Sequence, residues 1–138
     1  MQHILSYLKN SQSLLRQIEE HLAPYGLTPA QFNILGVLWQ AGGKLQPSEL
    51  SDRLLVTRPT ITALLGSLEK KGWLHRERIQ SDGRMRLVVL SDAGLALLRE
   101  VGPVHQAMVD RLSARLTEEE WMTLVDLSKK CNEPLQGE

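Results

Sequence analysis

The segment from Ser48 to Arg86 constrains this chain more than any other. After Pro47, Leu50 and Leu54 stand one helical turn apart. Leu55-Val56-Thr57 reads as a turn. Ile61, Leu64, Leu65 and Leu68 then repeat at i, i+3, i+4 and i+7, the stripe of a second helix. Lys70 and Lys71 suit the negative end of that helix, and Gly72 suits its terminating position. Trp73–Arg78 and Met85–Leu90 read as strands, with Ser81-Asp82-Gly83 as turn chemistry between them. These are the parts of a winged helix-turn-helix, which sets a helix sized for a major groove beside a cationic hairpin sized for a minor groove.

The outer face of the second helix is unusual. With Ile61 buried and 100° per residue, Pro59, Ala63, Gly66 and Lys70 face outward, flanked by Thr60, Thr62 and Ser67. An ordinary exposed face would carry more Glu and Lys. Small residues let the backbone approach base edges, and methyl groups suit the thymine methyl. Arg58, at the helix start, is placed to bond a guanine. On the hairpin, Arg84 stands at the tip with Arg78 and Arg86 behind it, suited to a narrow minor groove. Asp82 is expected to hold an arginine or the turn backbone.

Charge follows the same map. The chain is formally neutral, with 16 basic and 16 acidic residues. Between Arg53 and Arg86, eight basic residues face three acids, a net +5 that leaves −5 for the remainder. A polyanion needs a local positive field rather than a positive total.

The flanks read as helices. Ile4, Leu8, Leu15, Ile18 and Leu22 form a stripe over residues 2–22 that must cover something later in the chain or on a partner. Thr28-Pro29-Ala30-Gln31 is a capping box opening a helix through Phe32, Leu35, Leu38 and Trp39 that ends at Ala41-Gly42-Gly43. Ser91 caps a long helix through Leu95, Leu98 and Val101, which Gly102-Pro103 is expected to kink. Thr117-Glu118-Glu119-Glu120 is a second capping box, opening a last helix with Trp121, Leu124 and Val125 on one face. The expected fold is mainly α with a small two- or three-stranded β wing. Residues 1–25 and 99–138 are expected to form dimerisation helices around a DNA-binding domain at 26–98.

Other chemistry is poorly supported. The longest aliphatic run is Leu87-Val88-Val89-Leu90, too short to span a membrane. No basic leader precedes an apolar stretch, and a single cysteine, Cys131, suits a reducing cytoplasm. His3, His21, His75 and His105 form no short-spaced ligand pair, so no metal is expected. Nucleophile motifs, phosphate loops and paired carboxylates are missing, so neither an enzyme nor a cofactor is expected.

Several motifs occur together in an order and spacing that resemble the MarR family of transcriptional regulators. Leu27-Thr28-Pro29-Ala30-Gln31 is similar to the family's leucine-threonine-x-x-glutamine helix start. Thr57-Arg58-Pro59-Thr60-Ile61-Thr62 resembles its recognition helix, closed by Leu68-Glu69, with Gly72 and Arg76 following. Asp82-Gly83-Arg84 matches the wing motif, and Leu90-Ser91-Asp92-Ala93-Gly94 matches the strand-to-helix junction. One departure is Gly83, where many relatives carry a basic residue. The resemblance implies a homodimer built by the first and last two helices, a pseudo-palindromic operator in double-stranded DNA, repression, and release by a small-molecule effector. It places Thr57 and Arg76 beside the other residues expected at the DNA. The alternative from another class is a winged-helix module that binds a protein and not DNA.

Overall fold

The computed structural model describes residues 1–54, 56–79 and 82–135, and the side chains of these except 82–85. Helix α1 spans Gln2–Leu22 and runs into a 3₁₀ turn at Ala23–Tyr25. Helix α2 spans Pro29–Gln40, strand β1 Lys44–Leu45, helix α3 Pro47–Leu54 and helix α4 Arg58–Lys70. Strands β2, Leu74–Ile79, and β3, Asp82–Leu90, lead to helix α5, Asp92–Ser113, and helix α6, Glu118–Cys131. No described helix is long and apolar enough to cross a membrane. The chain divides into two compact units, Met1–Pro103 and Val104–Glu138.

The local signals for helix starts act as expected. Thr28 Oγ1 accepts from the Gln31 backbone N–H at 3.2 Å, and Gln31 Oε1 accepts from the Thr28 N–H at 3.1 Å. The same reciprocal pair joins Thr117 and Glu120 at the start of α6. Such a cap contributes about 1 kcal/mol by satisfying helix N–H groups that have no partner within the helix.

The first unit holds an aliphatic core. Leu22 of α1, Ile34, Leu35 and Leu38 of α2, Leu50 of α3, and Ile61, Leu65 and Leu68 of α4 are buried together. Leu74 and Val88 cover them from the sheet, and Val101 from α5. Because the core uses every element from α1 to β3, α4 is held against a wall rather than presented on a loop.

The sheet is antiparallel in the order β1-β3-β2. Lys44 and Leu45 pair with Val89 and Val88, adding a strand that local sequence signals did not mark. Across β2 and β3, Leu74 pairs with Leu90, Arg76 with Val88 and Arg78 with Arg86, with an irregularity after Arg78. Ile79 then pairs with Asp82, so Asp82 and Gly83 belong to β3 where a turn was expected. Ser81, the first residue of that expected turn, lies outside the described residues, as does Leu55 in the turn before α4.

The turn between α4 and β2 is tightly fixed. Gly72 adopts φ 75°, and the N–H groups of Gly72 and Trp73 donate to the carbonyls of Glu69 and Leu68. That is a Schellman termination, and the left-handed backbone it needs explains the glycine. Ser91 then clamps this turn to α5. Its hydroxyl donates to the Gly72 carbonyl at 2.6 Å and accepts from the Gly94 N–H at 3.0 Å. A Cβ on Gly94 would stand 2.1 Å from the Trp73 carbonyl oxygen, so only glycine lets α5 begin here. Helix α5 continues through Pro103, where the sequence suggested a kink, without ending there.

In the second unit, the Trp121 indole N–H donates to the Ser113 carbonyl at 2.7 Å, fixing the start of α6 against the end of α5. Helix α6 has no buried residue among those described.

Candidate nucleic-acid interface

Helix α4 is capped by Thr57, whose hydroxyl oxygen accepts from the Thr60 N–H at 3.4 Å and lies 2.9 Å from Thr60 Oγ1. Ile61, Leu65 and Leu68 face the core. The opposite face exposes Pro59, Ala63 and Lys70, with Thr57, Arg58, Thr60 and Thr62 also outside the core. A Cβ added at Gly66 would meet nothing within 4 Å, so a side chain there would enter open space.

Hydrogen bonding decides what this face can offer. Thr62 Oγ1 donates to the Arg58 carbonyl at 2.9 Å. The hydroxyls of Thr57 and Thr60 bond to one another. The outward chemistry of α4 is therefore mainly methyl groups, with the Arg58 guanidinium at its start and the Lys70 ammonium at its end. Methyl surface suits the C5-methyl of thymine, and a guanidinium suits guanine or phosphate.

Two residues expected at this surface have other partners. Ser67 is half-buried, and its oxygen accepts from Gln31 Nε2 at 3.0 Å, which turns it toward α2. Arg76 lies on β2 with only 27% of its side chain exposed. Its Nε stands 3.2 Å from Glu69 Oε2 as an ion pair without hydrogen-bond geometry. Sequence spacing could not reveal either tie, because each joins separate elements.

The sheet sorts its charges by face. Directly paired and alternate residues share a face. Leu74, Arg76 and Arg78 therefore lie on one side with Leu90, Val88 and Arg86. This is the side that meets α4 through Glu69–Arg76. Arg78 and Arg86 are exposed and form no ion pair among the described residues. On the other face, Glu77 is held by Lys44 Nζ at 3.5 Å and His75 Nε2 at 3.1 Å. The His75 hydrogen bond, then the Lys44 charge, hold the Glu77 carboxyl below its ordinary value. The described acids of the sheet and of the end of α4 are thus matched internally, while the two arginines are not. The backbones of Asp82 and Arg84 lie in β3, but their side chains are outside the described residues.

Lys71 is exposed but engaged elsewhere. Its ammonium donates to the Gly26 carbonyl and lies 4.9 Å from the centre of the Trp73 ring. Among the described residues, no group of three or more His, Cys, Asp or Glu is arranged to hold a metal.

Comparison with known proteins agrees with this geometry. The MarR family model matches residues 25–85, from the turn after α1 into the wing. The HTH-type transcriptional repressor YetL of Bacillus subtilis is 32% identical over 117 residues, 84% of this chain and 70% of that protein. The crystal structure of Sco3205, a MarR family transcriptional regulator from Streptomyces coelicolor in complex with DNA, superposes with TM-score 0.81. It is 28% identical, covering 96% of this chain and 84% of Sco3205. A mutant MarR from E. coli, complexed with operator DNA, is 32% identical with TM-score 0.76 over 95% of this chain and 93% of its own. With its capped small-residue helix, its arginine-bearing wing and relatives of this similarity, the chain belongs to the MarR family of DNA-binding transcriptional regulators.

Proposed function

We propose that the protein is a homodimeric repressor in which each α4 enters a major groove of a pseudo-palindromic operator while each wing follows the adjacent minor groove. The observation that carries this reading is the pairing of surfaces on one side of the first unit. An α4 face of small residues flanks a sheet face whose Arg78 and Arg86 lack acidic partners among the described residues. Arg58, Thr60, Thr62 and Ala63 approach base edges. Thr57, Pro59 and Lys70 border the phosphates, with the wing arginines Arg78, Arg84 and Arg86 beyond them and Asp82 ordering the tip.

Unpartnered apolar surface supports the dimer. On α1, Ile4 and Leu8, one turn apart, are 66% and 48% exposed, and on α6 Met122 and Val125, likewise neighbours on one face, are 60% and 47% exposed. Monomers rarely leave such contiguous apolar faces in water. Residues 1–25 and 99–138 supply the dimer helices, and 26–98 the DNA-binding domain. Release by a small-molecule effector, supported by the family resemblance, completes the regulatory cycle. A module that binds only protein would leave the paired wing arginines without a role.

Selection of bound duplexes from a random pool tests the reading. The enriched sequences should be two inverted half-sites with centres about 10 base pairs apart, or a multiple of that. Enrichment of a single asymmetric site, or of none, would contradict it.

A further inference from the structure

We propose that Gln31 is a positioning residue for DNA recognition: through Ser67 it fixes the rotation of α4 about its own axis. Gln31 is a buried polar residue, only 6% exposed, on a helix that otherwise buries leucine and isoleucine. Its carboxamide does two things at once. Oε1 accepts from the Thr28 N–H at 3.1 Å, and Nε2 donates to Ser67 Oγ at 3.0 Å across 36 residues of sequence. The Thr28 amide can only donate, so Oε1 must face it, and the amide nitrogen is left directed at α4. The start of α2 thus holds the middle of α4 through a group that is itself held.

The remaining contacts of α4 with the core come from Ile61, Leu65 and Leu68, with Leu64 partly buried beside them. Packing of these side chains sets which face α4 buries. A hydrogen bond of fixed length and angle adds a directional restraint that fine-tunes the rotation. Ser67 and Glu69 are two residues apart, which at ~100° per residue places them about 160° apart around the helix. Ser67 is tied to α2, and Glu69 is paired with Arg76 of β2 at 3.2 Å. The reading helix is therefore held on both flanks, and its outer face points in one direction. A small rotation would move Thr62 and Ala63 off the base edges while leaving the wing arginines on phosphate.

This inference rests on α4 being the DNA-reading helix. The test uses the full-length chain, a duplex selected from a random pool and a scrambled duplex of equal length. The variants are Gln31→Met, Ser67→Ala and the double variant, each checked as folded by thermal unfolding. Each single change should weaken the selected duplex about tenfold, the scale of one lost hydrogen bond in each half of a dimer. Affinity for the scrambled duplex should stay within about twofold. The double variant should bind no more weakly than the weaker single one, because both remove the same tie. Multiplied losses, near a hundredfold in the double variant, would show that Ser67 touches DNA independently and would overturn the proposal. Equal losses on both duplexes would overturn it too. Ser67→Ala, conservative in a helix, decides the matter alone if Gln31→Met does not fold: an unchanged preference for the selected duplex refutes the tie. If the native chain itself shows no preference for any duplex, the assignment of α4 as the reading helix fails first.

Discussion

Arg78 of β2 and Arg86 of β3 stand directly opposite one another in the wing ladder, both exposed and on one face of the sheet. Two like charges at such a position repel, and each such pair weakens a sheet by about 0.2–1 kcal/mol. On the proposed function, a polyanion lying across these two side chains relieves that repulsion.

Arg78→Ala or Arg86→Ala should therefore leave the melting temperature unchanged or slightly raised while weakening DNA binding. The weakening should be similar for specific and scrambled duplexes. The slope of log affinity against log salt should fall by about one for each phosphate contact removed per subunit. A lowered melting temperature with an unchanged salt slope would show that these arginines support the fold instead.

Glu77 gives the sheet a defined acid response. Its carboxyl is held below the ordinary value of 4.5, first by the His75 hydrogen bond and then by Lys44. A depressed carboxylate contributes stability above its unfolded value, and that contribution is lost as pH falls through the folded value. The effect is small, because the cluster lies at the surface and is screened. Melting temperature measured from neutral pH downward should decline less steeply below about pH 4.5 in Glu77→Gln than in the native chain. Parallel curves would rule out the Lys44–Glu77–His75 cluster as a source of that decline.

Gly94 is the least replaceable residue of the α4–β2–α5 junction. An added methyl would lie 2.1 Å from the Trp73 carbonyl oxygen and 2.8 Å from Leu90 Cδ1. The first of these is backbone and cannot turn aside. Gly94→Ala should destabilise the chain by about 3 kcal/mol or more in urea unfolding, the upper range of overpacking. A loss below about 1 kcal/mol would mean that the junction yields easily.

Legibility in the sequence follows the range of each interaction. The caps of Thr28 with Gln31 and Thr117 with Glu120 were readable because both partners lie within one helical turn. Gly72 was readable for the same reason. The tie from Gln31 to Ser67 was not, since 36 residues separate them and the glutamine already had a local role. Arg76 carries a charge that suggests DNA until Glu69 is found beside it. Strand β1 has only two residues and exists because Val88 and Val89 offer an edge. Asp82-Gly83 has turn composition, yet pairing with Ile79 places it in the ladder, a non-local choice that local propensity does not encode.

Ala63 offers the most direct test, because it is exposed on the outer face of α4 and makes no contribution to the core. Affinity for a selected duplex and for a scrambled one should be measured at fixed salt for the native chain, Thr62→Val and Ala63→Glu. Thr62→Val keeps a methyl and loses only a hydroxyl already bonded to the Arg58 carbonyl, so it should retain the native preference. Ala63→Glu should abolish that preference while the protein stays folded, since a carboxylate would meet base acceptors and phosphates. Ala63→Glu binding its selected duplex as tightly as the native chain does would contradict the assignment of α4 to the major groove.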